Sequence, residues 1–467
     1  MTAHSAAMLL HPAPMIPASP VPALRLADVL GPLSHALDLT EGQAPGHCVR
    51  CTYIGTRIGD ALGLSAPDMD DLFYTLLLKD LGCSSNAARI CELYLADDLT
   101  FKRDFKTIDT SLTAALRFVF AQTGLDSGLS ERFRAIVNIL QNGGDIARNL
   151  IETRCHRGAD IAARLRFSAT VQDGIRNLDE HWNGGGRPLG LMGAAIPLNA
   201  QIALLAQIID IFHTAGGRDA ARVEATRRAG TWFDPALIAT FTKLARDPGF
   251  WADLTNPQLE AAVFTLPAAQ RSTPVDEGYL DDIAQAFSDV VDAKSNFTAD
   301  HSSRVTLYAD MIAEQMGHSA AHRRWLRRGA LLHDLGKLGV SNQVLDKPGK
   351  LNAAEWACIR EHPGAGSAIL TRISAFADIA PIARDHHERL DGTGYPNGRG
   401  ADDLGQDIRI VTVSDVFDAL SATRPYRDAM PITDVLAILD KDRGTAFDPD
   451  CIDALRAGLD DLAKAAH

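Results

Sequence analysis

The chain has 467 residues, 46% of them hydrophobic and 22% charged, with a formal net charge of −13 at neutral pH. That length suffices for two or three domains with real cores, while the acidity excludes broad binding to a nucleic-acid polymer, which needs clustered Lys and Arg. No run approaches the roughly 18 apolar residues of a membrane span, and seven cysteines, an odd number, read as free thiols of a reducing, cytoplasmic compartment.

In chain order, residues 1–23 carry Pro12, Pro14, Pro17, Pro20 and Pro22 without a basic leader, and are expected to be a disordered Pro/Ala-rich tail. Residues 24–265 show mostly helical periodicity and form a first domain. Its informative stretches are Gly46-His47-Cys48-Val49-Arg50 and Lys79-Asp80-Leu81-Gly82-Cys83. A segment of about 84–154 has helical apolar spacing of its own (Leu112, Leu116, Val119, Phe120). Pro248, Pro257, Pro267 and Pro274 then break the periodicity, so 266–278 is expected to be a linker. A second domain occupies 279–467, its first helix running from about Leu280 through Val291.

This second domain holds Leu331-Leu332-His333-Asp334-Leu335-Gly336-Lys337 at the end of an apolar helical run. The two oxygens of Asp334 can bridge two cations, whereas His333 offers one nitrogen to one of them. Lys337, one turn on, can aim an ammonium at an anion that metals would hold. Alone, such a pair is usually an ordinary helix end. Here His301 lies 32 residues upstream and His362 lies 29 downstream of His333, followed by His386-His387, Gly394-Tyr395-Pro396 and Asp415. Five histidines and two aspartates are candidate ligands. Two octahedral metals need about twelve positions, of which a bridging Asp334 lets the protein fill about eight, leaving room for hydroxide and phosphate oxygens. Imidazole with carboxylate suits Fe or Mn, with Ni or Zn as alternatives.

Residues Asp289 to Leu455 resemble an HD-GYP domain, the subgroup of HD phosphohydrolases that linearises cyclic di-GMP. The order of His301, His333-Asp334, Lys337, His362, His386-His387, Gly394-Tyr395-Pro396, Asp415 and Arg424-Pro425-Tyr426-Arg427 carries the resemblance. It implies an all-α fold and hydrolysis of cyclic di-GMP to linear dinucleotide or GMP. It also implies that His301, His333, Asp334, His362, His386, His387 and Asp415 hold two divalent metals. Lys337 would contact the scissile phosphate, and Gly394, Tyr395 and Pro396 would shape the substrate site. Arg424 and Arg427 could hold the second phosphate or a guanine edge. Members with three metals carry a Glu four residues before the first His, a place taken here by Phe297. Two rival readings stay open: another HD-type nucleotide phosphohydrolase, and a non-catalytic cyclic-dinucleotide sensor.

The first domain reads as a degenerate copy of the second. At a constant offset of 254, Gly46 to Cys83 shares 13 of 38 residues with its counterpart, among them His47, Arg50, Asp80 and Gly82. His156-Arg157-Gly158 echoes His362-Pro363-Gly364, and Asp210 echoes Asp415, which implies an insertion of 48 residues within about 84–154. Lys79 stands for His333, Cys83 for Lys337, Leu178 and Asp179 for the paired histidines, and Arg187 for Tyr395. No working metal site is expected there. The copy would regulate or scaffold, its insert offering a surface to a signalling protein, and a homodimer is compatible with the sequence.

Overall fold

The computed structural model describes residues 24–108, 112–125, 127–271, 274–295, 300–423 and 428–465. These form an all-α protein whose only β pairings, among the described residues, are three isolated bridges. The helix starts follow from sequence. Ser65, Ser319 and Asp276 accept from the third backbone N–H beyond them, and Asn352 with Glu355 makes a reciprocal capping box. Among the described residues, no helix is long and apolar enough to cross a membrane.

Each half contains the same helical unit. In the first, His47–Leu62 packs on Ala66–Leu78 and on the long Leu198–Arg227; in the second, His301–Gln315 packs on Ala320–Leu332 and on Gln406–Ser421. Both halves place a glycine after the second helix, and for the same steric reason. A Cβ on Gly336 would collide with the carbonyl of His362, and one on Gly82 with the carbonyl of Arg154.

The expected insert stands apart in packing. It includes the helix Asp98–Phe105 and the N-terminal part of the 36-residue helix Leu129–Arg164, and builds a small apolar cluster of its own around Tyr94, Phe101, Phe118 and Ile139.

The expected linker is not an open tether. Pro267–Gln270 is a helical turn with Ala268 and Ala269 buried, and Arg271 pairs with Asp70. One apolar core runs without a break from Leu26 to Leu455. Tyr279, whose hydroxyl donates to the Leu165 carbonyl (2.6 Å), anchors the seam, and Arg166–Asp282 and Arg164–Asp289 pair across it. The prolines punctuate helices while the apolar residues between them keep the chain packed.

A deeper polar contact also crosses the seam. Asp98, fully buried in the first half, accepts from Lys294 Nζ (3.3 Å) and from the backbone N–H of Asn342 (2.9 Å). Asn342 in turn donates to the carbonyl of Lys294 (2.7 Å).

Candidate metal centre

His333, His362 and His386 arrive at the centre by one local device. Each lies just past the end of a helical turn and donates Nδ1–H back to the carbonyl three residues earlier: Ala330 (2.7 Å), Ile359 (2.6 Å) and Ala383 (3.0 Å). That bond fixes the tautomer and leaves the Nε2 lone pair aimed inward. His301 opens its own helix and is oriented through Asp418, which accepts from its Nδ1 at 2.6 Å.

The seven expected donors converge as two groups that share a wall. One comprises Asp334, His362, His386 and His387; the other comprises His301, His333 and Asp415; within each, the donor atoms lie within 4.8 Å of one another. Asp334 joins them. Its Oδ1 lies 3.3 Å from His362 Nε2 and 3.6 Å from His386 Nε2, and its Oδ2 lies 3.3 Å from His333 Nε2 and 3.5 Å from His301 Nε2. Asp415 Oδ1 is 3.2 Å from His301 Nε2, while its other oxygen is 3.9 Å from His387 Nδ1. His301 Nε2, His333 Nε2 and Asp334 Oδ1 are buried without a hydrogen-bond partner. Buried polar atoms are rarely left so, and donors of this kind, converging at these distances, fit divalent cations.

The electrostatics are those of ligands that share protons. Burial opposes ionisation of Asp334 and Asp415, yet the His333 and Lys337 charges beside the one and His301 beside the other hold both carboxyls well below the usual range. Burial likewise disfavours a charged His301, but the carboxylates of Asp334, Asp415 and Asp418 around it push it up to about 10. His362 goes the other way: burial lowers it to about 4 and keeps it neutral.

The cavity over this centre has a volume of about 750 Å³, with Lys337, Lys294, Trp356 and Tyr395 in its walls. Lys337 forms an ion pair with Asp334. Tyr395 stacks on His387 with centroids 4.7 Å apart. Gly394 lies against the backbone of 387–389, where a Cβ would not fit, and Glu388 accepts from the N–H groups of Asn397 (2.6 Å) and Arg399 (3.0 Å) to hold the loop shut. The Tyr395–Pro396 peptide is cis. Arg424, Arg427 and Phe297 lie outside the described residues.

Asp418 was missed by the sequence reading. It also accepts from Arg304 Nε (2.6 Å), so one carboxylate positions both the histidine and the arginine of His301-x-x-Arg304. The signal was present: Asp418 lies three residues after Asp415, on the same helical face.

The first half repeats this arrangement and corrects the pairing of the copies. Asp210 accepts from His47 Nδ1 (2.6 Å) and Arg50 Nε (2.6 Å), so it matches Asp418, and Gln207 falls at the place of Asp415. The collisions at Gly82 and Gly336 set Arg154, not His156, against His362. Glu180, Gly186 and the cis Arg187–Pro188 peptide repeat the Glu388 loop. The offset therefore falls from 254 to 208, and the insertion is 46 residues.

Charge then distinguishes the two halves. Lys79 Nζ donates to His47 Nε2 (3.0 Å), the counterpart of the orphaned His301 nitrogen, and pairs with Asp80. Burial disfavours its charge, but the Asp80 carboxylate outweighs that and raises Lys79 well above an ordinary lysine. Arg154 pairs with Asp179 at the second position. Two covalently attached cations stand where metal ligands stand in the other half.

The model of a family described as "HD domain" matches residues 134–237 and 285–451, a segment in each half. The chain is similar to 3'3'-cGAMP-specific phosphodiesterase 3 of Vibrio cholerae serotype O1, with 52% identity over 434 residues that cover 93% of this chain and 94% of that protein. A crystal structure of a cyclic GMP-AMP-specific phosphodiesterase of V. cholerae aligns with a TM-score of 0.65 and 46% identity, covering 94% of this chain and 98% of that one. The cyclic di-GMP phosphodiesterase response regulator RpfG of Xanthomonas campestris pv. campestris is 42% identical over 163 residues, 34% of this chain and 43% of its own length.

Proposed function

We propose that this chain, which belongs to the HD domain family, hydrolyses a phosphodiester bond of a cyclic dinucleotide, with 3'3'-cyclic GMP-AMP preferred. The observation that carries the reaction class is Asp334: one buried carboxylate sends an oxygen into each of two donor groups at the floor of an open cavity. The substrate preference rests on similarity that extends over both halves of the chain, whereas the match to RpfG covers 34% of it. Cyclic di-GMP, the substrate implied by the HD-GYP motifs, is the second reading, supported by relatives such as RpfG.

Two divalent metals, Fe or Mn by the donor chemistry, would be held by His301, His333 and Asp415 on one side and by His362, His386 and His387 on the other, with Asp334 between. Metals so placed supply charge neutralisation at phosphorus and a water acidified for attack. The protein's own groups do the positioning. Asp418 and the i−3 carbonyls hold the imidazoles in one tautomer, Lys337 brings an ammonium beside the phosphate position, and the Glu388-braced loop sets Tyr395 as a wall of the cavity. The cavity volume falls within the ~300–1,000 Å³ of small-molecule sites. A sensor would need no such donor set, and a monophosphatase no cavity of this volume.

Purified protein loaded anaerobically with Fe(II) or Mn(II) is expected to cleave 3'3'-cyclic GMP-AMP faster than cyclic di-GMP and to leave GMP intact. Chelation, or Asp334→Ala, should remove at least 99% of that activity with helical content unchanged. A metal-loaded wild type that leaves every cyclic dinucleotide whole ends this reading.

A further inference from the structure

Resting on that reading, we propose that Arg360, whose guanidinium lies over the rings of both Trp356 and Tyr395, reads the Hoogsteen edge of a guanine in the substrate. The guanidinium Cζ stands 5.4 Å from the Tyr395 ring centre and 5.8 Å from that of Trp356. Tyr395 in turn stacks on His387 at the metal centre. His387, Tyr395, Arg360 and Trp356 are thus in serial contact, and His387, Tyr395 and Trp356 line the cavity, with Arg360 adjoining it. Arg360 therefore lies within about 10 Å of the His387 ring, the reach from a phosphodiester held at the metals to the edge of the base its ribose carries.

The chemistry of Arg360 fits that place. The chain carries 59 Asp and Glu against 46 Lys and Arg, and most of its arginines near the surface pair with a carboxylate. Arg360 makes no ion pair or hydrogen bond among the described residues. What holds it is the faces of two rings, an attraction that uses the guanidinium plane and leaves its N–H edge available. Guanine offers O6 and N7 as paired acceptors to such an edge, whereas adenine presents a donor at N6 beside N7 and mismatches it. Trp356 is 44% exposed, a large apolar ring left open on a cavity wall, and gives a base a face on which to stack. The phosphates have other cations, Lys337 at the centre and Lys350 at the cavity rim. A substrate with one guanine and one adenine would thereby be held in one orientation, its guanosine half on Arg360.

The test uses the metal-loaded full chain. Hydrolysis of the base-free diester bis(4-nitrophenyl) phosphate reports the metal centre, and inhibition of it by cyclic di-GMP, 3'3'-cyclic GMP-AMP and cyclic di-AMP reports dinucleotide binding. In Arg360→Gln, inhibition by the two guanine dinucleotides is expected to weaken by about 10- to 100-fold, the size of one lost bidentate base contact. Inhibition by cyclic di-AMP should hold or strengthen, because Gln offers adenine the matching donor and acceptor, and each inhibition is read relative to that variant's own turnover of the base-free diester. Arg360→Lys should retain part of the guanine preference. Equal weakening for all three dinucleotides would make Arg360 a phosphate contact and overturn the proposal. So would no change for any of them, or cyclic di-AMP failing to inhibit either form. These outcomes are separable from failure of the functional reading, in which the wild type itself cleaves no cyclic dinucleotide.

Discussion

The side chain that decides how well the centre is formed touches no candidate substrate. Asp418 is buried, binds His301 Nδ1 at 2.6 Å and shares its second oxygen with Arg304. Groups that orient a metal-bound imidazole typically contribute 10- to 100-fold in metal affinity. Asp418→Asn keeps the size and removes the charge, and is expected to weaken metal binding by about that factor. Excess metal should recover most of the turnover lost. Metal titration by calorimetry checks this, and an affinity equal to wild type would leave Asp418 a purely structural residue. The first half shows the same geometry at Asp210, so the pairing of His, Arg and Asp recurs where Lys79 and Arg154 stand in place of His333 and His362.

At the scale of elements, the convergence of the second half's candidate donors was largely legible. Histidines beside helix ends, a His-Asp pair and a Gly-Tyr-Pro loop are local signals, and the structure gathers all seven expected donors at one place. What was not legible was register. Matching Asp210-Ile211-Phe212 to Asp415-Val416-Phe417 as a string paired Asp210 with the wrong aspartate, because residues three apart on a helix share a face and a string match cannot tell them apart. Only the partners of Asp210, and the backbone pressed against Gly82, settle the offset. Nor could sequence show that an element of the insert reaches the active-site wall. Asp98, at the start of the helix Asp98–Phe105, holds Lys294 and the N-terminus of Asn342–Leu345, all of it buried. Removing one member of a buried ion pair leaves the other charge uncompensated and costs about 3–5 kcal/mol. Asp98→Ala should therefore lower the unfolding free energy by about that amount and raise KM for the dinucleotide, since Lys294 lines the cavity. Equilibrium denaturation together with steady-state kinetics decides it; a KM equal to wild type would confine Asp98 to stability.

For the whole molecule the shared core dominates. Tyr279, Leu280, Ile283 and Phe287 are buried in the continuous apolar cluster, and Tyr279 bonds to the first half directly. A fragment of residues 276–467 would expose much of that seam, and exposed apolar patches beyond a few hundred Å² favour association. It is expected to aggregate or to melt well below the full chain, as size-exclusion chromatography and scanning calorimetry would show. A monomeric fragment with an unchanged midpoint would mean that the seam adds little. The prolines of 266–278 suggested a tether because they break helical period, yet they say nothing about burial, and Ala268 and Ala269 lie in the core.

The internal cations Lys79 and Arg154 carry a further consequence. Their charge is part of the chain, so it cannot be stripped by a chelator, displaced by a wrong ion or withheld when the supply of divalent metal falls. Under the proposed function the second half depends on metal that the surroundings provide, whereas the first half carries these two charges itself and grips the cavity wall through Asp98. Shape is thereby uncoupled from supply. Metal scarcity would silence turnover while the vessel for the reaction stays assembled, ready to be reloaded without refolding.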